Sequence, residues 1–161
     1  MIVIADTTPL NYLILIDLPH ILHELFGQVV IPRTVLTEME SPLAPDKIRQ
    51  WVAQRPDWLV EKNIQREDPT LAHLDPGERD AITLAQELQA DLILLDERLG
   101  RQEATTRKFN VTGTVGILDR AGTRGLIDIA AAVSQLRQLN FRVSPRLLNA
   151  LLDRHKLSDH F

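Results

Sequence analysis

Four acids stand where alternating strands and helices would gather them. Asp6 follows the apolar run 1–5, and Asp96 follows the apolar run 92–95. Glu38 lies three residues after Val35, so it borders the face made by Val35, Leu36 and Met39. Glu78 lies one turn before Ile82, at the edge of the stripe Ala81, Ile82, Leu84, Ala85 and Leu88. Asp80 and Glu97 are alternates. Two acids at i and i+2 cannot both point inward from one helix, and helical phase ranks Glu78 above Asp80. Crowded carboxylates resist ionising together. A hard divalent cation, Mg²⁺ or Mn²⁺, relieves that and prefers oxygen ligands. Such an ion lowers the pKa of a water and stabilises charge on a phosphodiester.

Each acid also has a plainer reading. Asp6 can serve a turn, and Glu38 can be an exposed helix residue. Asp75-Pro76-Gly77-Glu78 matches a capping box with Asp at the cap. Asp96-Glu97 can cap the helix that follows. The acids carry weight as a set.

The elements that must position them form an α/β pattern. The stretch 74–100 reads as a capped helix, a tight turn and a buried strand, with acids at both ends. Residues 1–5, 28–31, 58–60, 92–95 and 111–115 read as strands, with Pro32 stopping the second. Thr8 would cap the first helix, with Pro9 at its first position. Asp17 would cap a second helix ending at Gly27. Residues 34–40, 46–55, 98–108, 116–121, 128–139 and 145–154 read as further helices, with Gly122 and Gly125 as breakers. Residues 64–73 are polar and irregular, and are expected to form a mobile segment or lid. Strands alternating with helices imply a mostly parallel sheet. Such a sheet binds ligands at the carboxyl ends of its strands. Leu147, Leu148, Leu151 and Leu152 would close either the monomer core or a dimer.

The totals narrow the classes. A chain of 161 residues suits one domain. Aromatics are 4%, too few for a base-stacking platform. Net charge is -4, yet Arg98, Arg101, Arg107, Lys108, Arg120 and Arg124 outnumber Glu103 and Asp119 between 98 and 124. That imbalance is either a solvated face or a phosphate-contacting rim. Without cysteine there is no disulfide or thiolate site, and a cytoplasmic location is expected. Asp6 interrupts any leader-like run, and no apolar stretch reaches a membrane span. The five histidines, His20, His23, His73, His155 and His160, lack the paired spacing of a zinc protease. A haloacid-dehalogenase phosphatase would want an acid where Thr8 stands. A dinucleotide-binding protein would want a Gly-rich loop after the first strand.

Ile2-Val3-Ile4-Ala5-Asp6-Thr7, Ile31-Pro32 to Glu38, Gly77-Glu78 to Gly100-Arg101, and Gly113-Thr114-Val115-Gly116-Ile117-Leu118 together resemble the PIN-domain superfamily. The closer likeness is to its prokaryotic branch related to the VapC-type toxins. It covers about residues 1–127, with less distinctive helices over 128–155, and implies one PIN-like domain over 1–161. The resemblance implies a three-layer α/β/α fold and Mg²⁺- or Mn²⁺-dependent cleavage of RNA. It places the four acids at Asp6, Glu38, Glu78 and Asp96, with Asp80 and Glu97 as alternates. Thr7 or Thr114 would orient water or phosphate, and Arg101 would contact the RNA backbone. It further implies a homodimer and a small antitoxin partner. The expected function is a ribonuclease, the toxin half of a toxin–antitoxin pair or a close relative. The alternative is a non-catalytic module whose acidic pocket docks a basic partner.

Overall fold

Continuous apolar runs are the pattern of strands covered on both faces. The computed structural model describes residues 1–139 and 144–158, and the runs are buried strands there. The order is β1 (Val3–Ala5), α1 (Thr7–Leu15), α2 (Ile21–Phe26), β2 (Val29–Pro32), α3 (Arg33–Glu40), α4 (Asp46–Ala53), β3 (Leu59–Lys62), a 3-10 turn (Pro69–Leu71), α5 (Pro76–Leu88), β4 (Leu92–Leu94), α6 (Arg98–Thr106), β5 (Val111–Thr112), α7 (Thr114–Thr123), α8 (Ile129–Gln138) and α9 (Pro145–Ser158). The sheet is parallel throughout, ordered β3-β2-β1-β4-β5.

Side chains alternate across a strand, so each central strand feeds two cores. Val3, Ala5, Val29, Ile31, Leu92 and Leu94 pack with α1 to α4 and α7 to α9. Ile4, Val30, Ile93 and Leu95 pack with α5, α6 and the 3-10 turn. The result is the expected three-layer α/β/α fold. β3 ends in Glu61-Lys62 and β5 has two residues, so both sheet edges are short or charged.

β1 and β4 are neighbours, with Val3, Ile4 and Ala5 opposite Leu92, Ile93 and Leu94. The chain leaves β1 towards β2 and β3, but leaves β4 towards β5. Their carboxyl ends therefore border a crevice at the topological switch point.

Several local expectations change. Asp6, not Thr8, is the N-cap of α1, and α1 begins at Thr7. Pro9 still falls in the first turn, where a missing N–H costs nothing. Asp17 does not cap α2; it takes a positive φ of 62° and pairs with Lys47, and α2 starts after His20. The last strand stops at Thr112, because α7 starts at Thr114. Gly122 lies inside α7, where an added Cβ would meet Ile129 and His155; the break comes at Gly125. In α9, Leu148 and Leu151 close the monomer core, while Leu147 stays 53% exposed. His160 lies outside the described residues.

The segment 64–73 is not a free lid. Leu71 is fully buried beneath the sheet. The Glu87 carboxylate accepts from the Gln65 and Arg66 N–H groups. Asp68 accepts from Thr70 and Gln86, and Arg107 donates to Thr70. The sequence looks polar because one apolar residue does the packing. Leu71→Ala should cost about 2–5 kcal/mol. Urea denaturation and limited proteolysis would check this; an unchanged midpoint would mean the segment is not packed.

Candidate metal centre at the sheet switch point

Asp6 continues β1 by one step, its N–H donating to Leu94 O at 3.0 Å. Its carboxylate makes no cap bond and is 3% exposed. Opposite, α5 enters through Pro76-Gly77. A Cβ at Gly77 would lie 2.8 Å from Asp6 Oδ1 and 3.0 Å from Glu38 Oε1. The glycine is what lets this helix rest directly on two carboxylates. Glu38 comes from the last turn of α3 and accepts from the Thr7 hydroxyl at 2.5 Å. Glu78 is buried one residue beyond Gly77. The capping box does not form: Asp75 caps α5 by position, without a side-chain bond. Glu78 is turned to the crevice instead.

These residues line one cleft of about 200 Å³ with Thr7, Thr8, Asp75 and Glu97. Among the described residues, no Lys, Arg or His lines it. Asp75 and Thr8 are additions, since sequence reading gave both to helix entry. Their only signal was proximity to Glu78 and Asp6.

Asp80, by contrast, faces away from the cleft. It accepts from the Thr34 hydroxyl and from Arg79 Nε at 3.0 Å. Asp96 stands to one side. Its two oxygens accept from the Thr114 N–H at 2.8 Å and the Thr114 hydroxyl at 2.7 Å. Asp96 thus holds the start of α7, not of α6. Thr114 is fully buried, and its hydroxyl is committed to Asp96. Arg101 Nη1 donates to Leu95 O at 3.2 Å. Gly113 leaves room for both: a Cβ there would fall 2.6 Å from Asp96 Oδ1 and 2.8 Å from Arg101 Nη1. The fourth corner is therefore divided, with Glu97 in the acidic cleft and Asp96 beside it.

The electrostatics follow from crowding in low dielectric. Burial, opposed by the Thr7 N–H and reinforced by Glu78, Glu38 and Asp96, pushes the Asp6 carboxyl up to about 7. Burial, with the charges of Asp75, Glu97 and Glu38, pushes Glu78 up to about 7. Burial also raises Asp96, against the lowering effect of Thr114 and Arg101. Such a set fits a hard divalent cation in donor type and in charge: all oxygen, with no basic counter-ion in the cleft. Among the described residues, no three His, Asp or Glu side chains stand close enough to enclose a metal as placed. Convergence of the ligands would need side-chain rotation.

The basic segment disperses. Arg107 pairs with Glu103, Arg120 lies over the Phe26 ring, and Arg124 donates to Glu24 O. Only Arg98 and Arg101 remain beside Asp96.

Raised carboxyl pKa values have a definite sign in stability. The folded chain keeps these protons at pH values where the unfolded chain has lost them. Each group therefore opposes folding increasingly as pH rises from the ordinary carboxylate range towards about 7, then levels off. Without divalent ions, the gain in melting temperature of Asp6→Asn over the parent should grow from pH 5 to pH 8. Thermal melts would show it; a gain that does not vary with pH would mean Asp6 ionises normally.

A family model described as DUF3368, PIN domain, matches residues 2–157. No curated protein and no solved structure matches the chain. PIN domains are generally nucleases, and divalent ions are typical of them. No helix among the described residues is long and apolar enough to cross a membrane. The match runs through the whole sheet and every acid of the cleft, and on it the chain belongs to this PIN-domain family.

Proposed function

We propose that the protein is a Mg²⁺- or Mn²⁺-dependent endoribonuclease, the toxin half of a toxin–antitoxin pair or a close relative. The observation that carries this reading is the cleft of carboxylates at the switch point, without a cationic side chain among the described residues. Asp6, Glu38 and Glu78 would hold the ion, with Asp96 as fourth acid and Glu97 as its alternate. When bound, the ion supplies a lowered water pKa and charge stabilisation at a phosphodiester. Thr7 fixes one Glu38 oxygen. Thr114 fixes Asp96 and so positions a reactive group without touching substrate. Asp80 ties α5 to α3 through Thr34. Arg101 stands beside Asp96 and would meet the RNA backbone. A homodimer and a small antitoxin that covers the acidic cleft belong to the same proposal.

A second reading is a non-catalytic module whose acidic cleft docks a basic partner. The spacing of the acids, too open as placed to enclose an ion, favours it.

Purified protein should cleave RNA with Mg²⁺ or Mn²⁺ and not with EDTA, and Asp6→Asn should lose at least a hundredfold in rate. Cleavage by the variant at the parent's rate would sink the site. Metal-induced stabilisation absent from the parent would favour the docking module. Thr114→Val, which removes the bond to Asp96, should lower the rate by roughly 10- to 100-fold. Asp80→Asn should lower stability by about 1–3 kcal/mol and leave the rate per folded molecule near the parent's. Rates normalised to the folded fraction separate the two effects.

A further inference from the structure

A cleft whose charged lining residues are all acids among the described residues repels the phosphate it would cut, so an attractive surface must adjoin it. α6 supplies one. Gly100 and Ala104 face inward, with Gly100 close to Leu95 and Glu78. That leaves Arg98, Arg101, Gln102 and Thr105, at spacings of three, four and seven, as one outward stripe. The stripe lines a second cleft of about 650 Å³, together with Thr106 and Asp96. Among the described residues, Asp96 is its one acid. Asp96 and Glu97 are consecutive, so this cleft meets the acidic one at the end of β4. Arg98 is exposed and makes no ion pair among the described residues. Arg107, two turns further on, is taken up by Glu103. The stripe also starts at a helix N-terminus whose cap, Glu97, makes no side-chain bond, so the first-turn N–H groups favour an anion.

We infer that the outer face of α6, from Arg98 to Thr105, is a phosphate-binding track that leads a single-stranded RNA into the acidic cleft. This rests on the nuclease reading and adds the direction of approach. Seven residues of helix span about 10 Å, which covers more than one phosphate of a strand. Among the described residues none that lines the track is aromatic, so its hold on the strand is electrostatic and indifferent to sequence.

The test is fluorescence anisotropy of a labelled single-stranded RNA oligonucleotide with the full chain, in EDTA and in Ca²⁺, over a salt series. Arg98→Ala should bind roughly three- to tenfold more weakly and reduce the slope of log affinity against log salt by about 0.7. Thr105→Glu, exposed and away from the acids, should weaken binding at least as much. Arg124→Ala, whose parent residue bonds to α2 on the opposite layer, should bind as the parent does. Circular dichroism would confirm that all three are folded. Unaltered affinity in Arg98→Ala and Thr105→Glu, or no binding by the parent, overturns the track. Cleavage with parental KM in both variants overturns it too and leaves the nuclease standing. Binding that depends on Arg98 and Thr105, without metal-dependent cleavage, keeps the track and removes the nuclease.

Discussion

Two carboxylates buried beside other acids set the terms for this molecule. Asp6, Glu38 and Glu78 share a small cleft with Glu97 and Asp75, and nothing basic lines it among the described residues. Left alone, Asp6 and Glu78 answer by holding protons up to about neutral pH. The strain of that arrangement is local, while the means of enforcing it is the whole sheet. β1 and β4 must pair in register for Asp6 to reach the crevice. α5 must arrive with a glycine at its second residue. α3 must present Glu38 from its last turn, against the Thr7 hydroxyl.

The scaffold uses the neighbouring acids to hold the central ones. Asp80 is as buried as Glu78, yet it is satisfied by Thr34 and Arg79. Asp96 receives two bonds from Thr114 and lies near Arg101. Satisfied carboxylates fix helix positions; unsatisfied ones keep their oxygens for a ligand. The pair Glu78 and Asp80, two residues apart on one helix, shows both uses.

Much of this was legible from the chain. Apolar runs marked the central strands, because burial on both faces leaves no polar position. The acids at their ends marked the crevice, and helical phase turned Glu78 and Asp80 to different sides. What was not legible depended on distant partners. Asp96 reads as a cap for α6, but its partner Thr114 is eighteen residues on. The capping box at Asp75 fails because Glu78 has a tertiary role that a local motif does not register. The segment 64–73 looked mobile because Leu71 was one apolar residue among polar ones, and depth is not a property of composition. The basic run dispersed for the same reason: α6 and α7 point its members to different layers.

The central position of β1 has a consequence for how the molecule is made. The first strand of the chain is flanked by β2 and by β4, and its partners on the β4 side are Leu92, Ile93 and Leu94. The middle of the sheet cannot close until β4 follows β1, about ninety residues later, and pairing over such separations is slow. Asp6 is synthesised before the acids it joins and waits for them. Glu78 and Glu97 come late, and Thr114, which anchors Asp96, later still. The carboxylate cleft is therefore a product of completed folding, and a nascent or truncated chain carries its acids without assembling them.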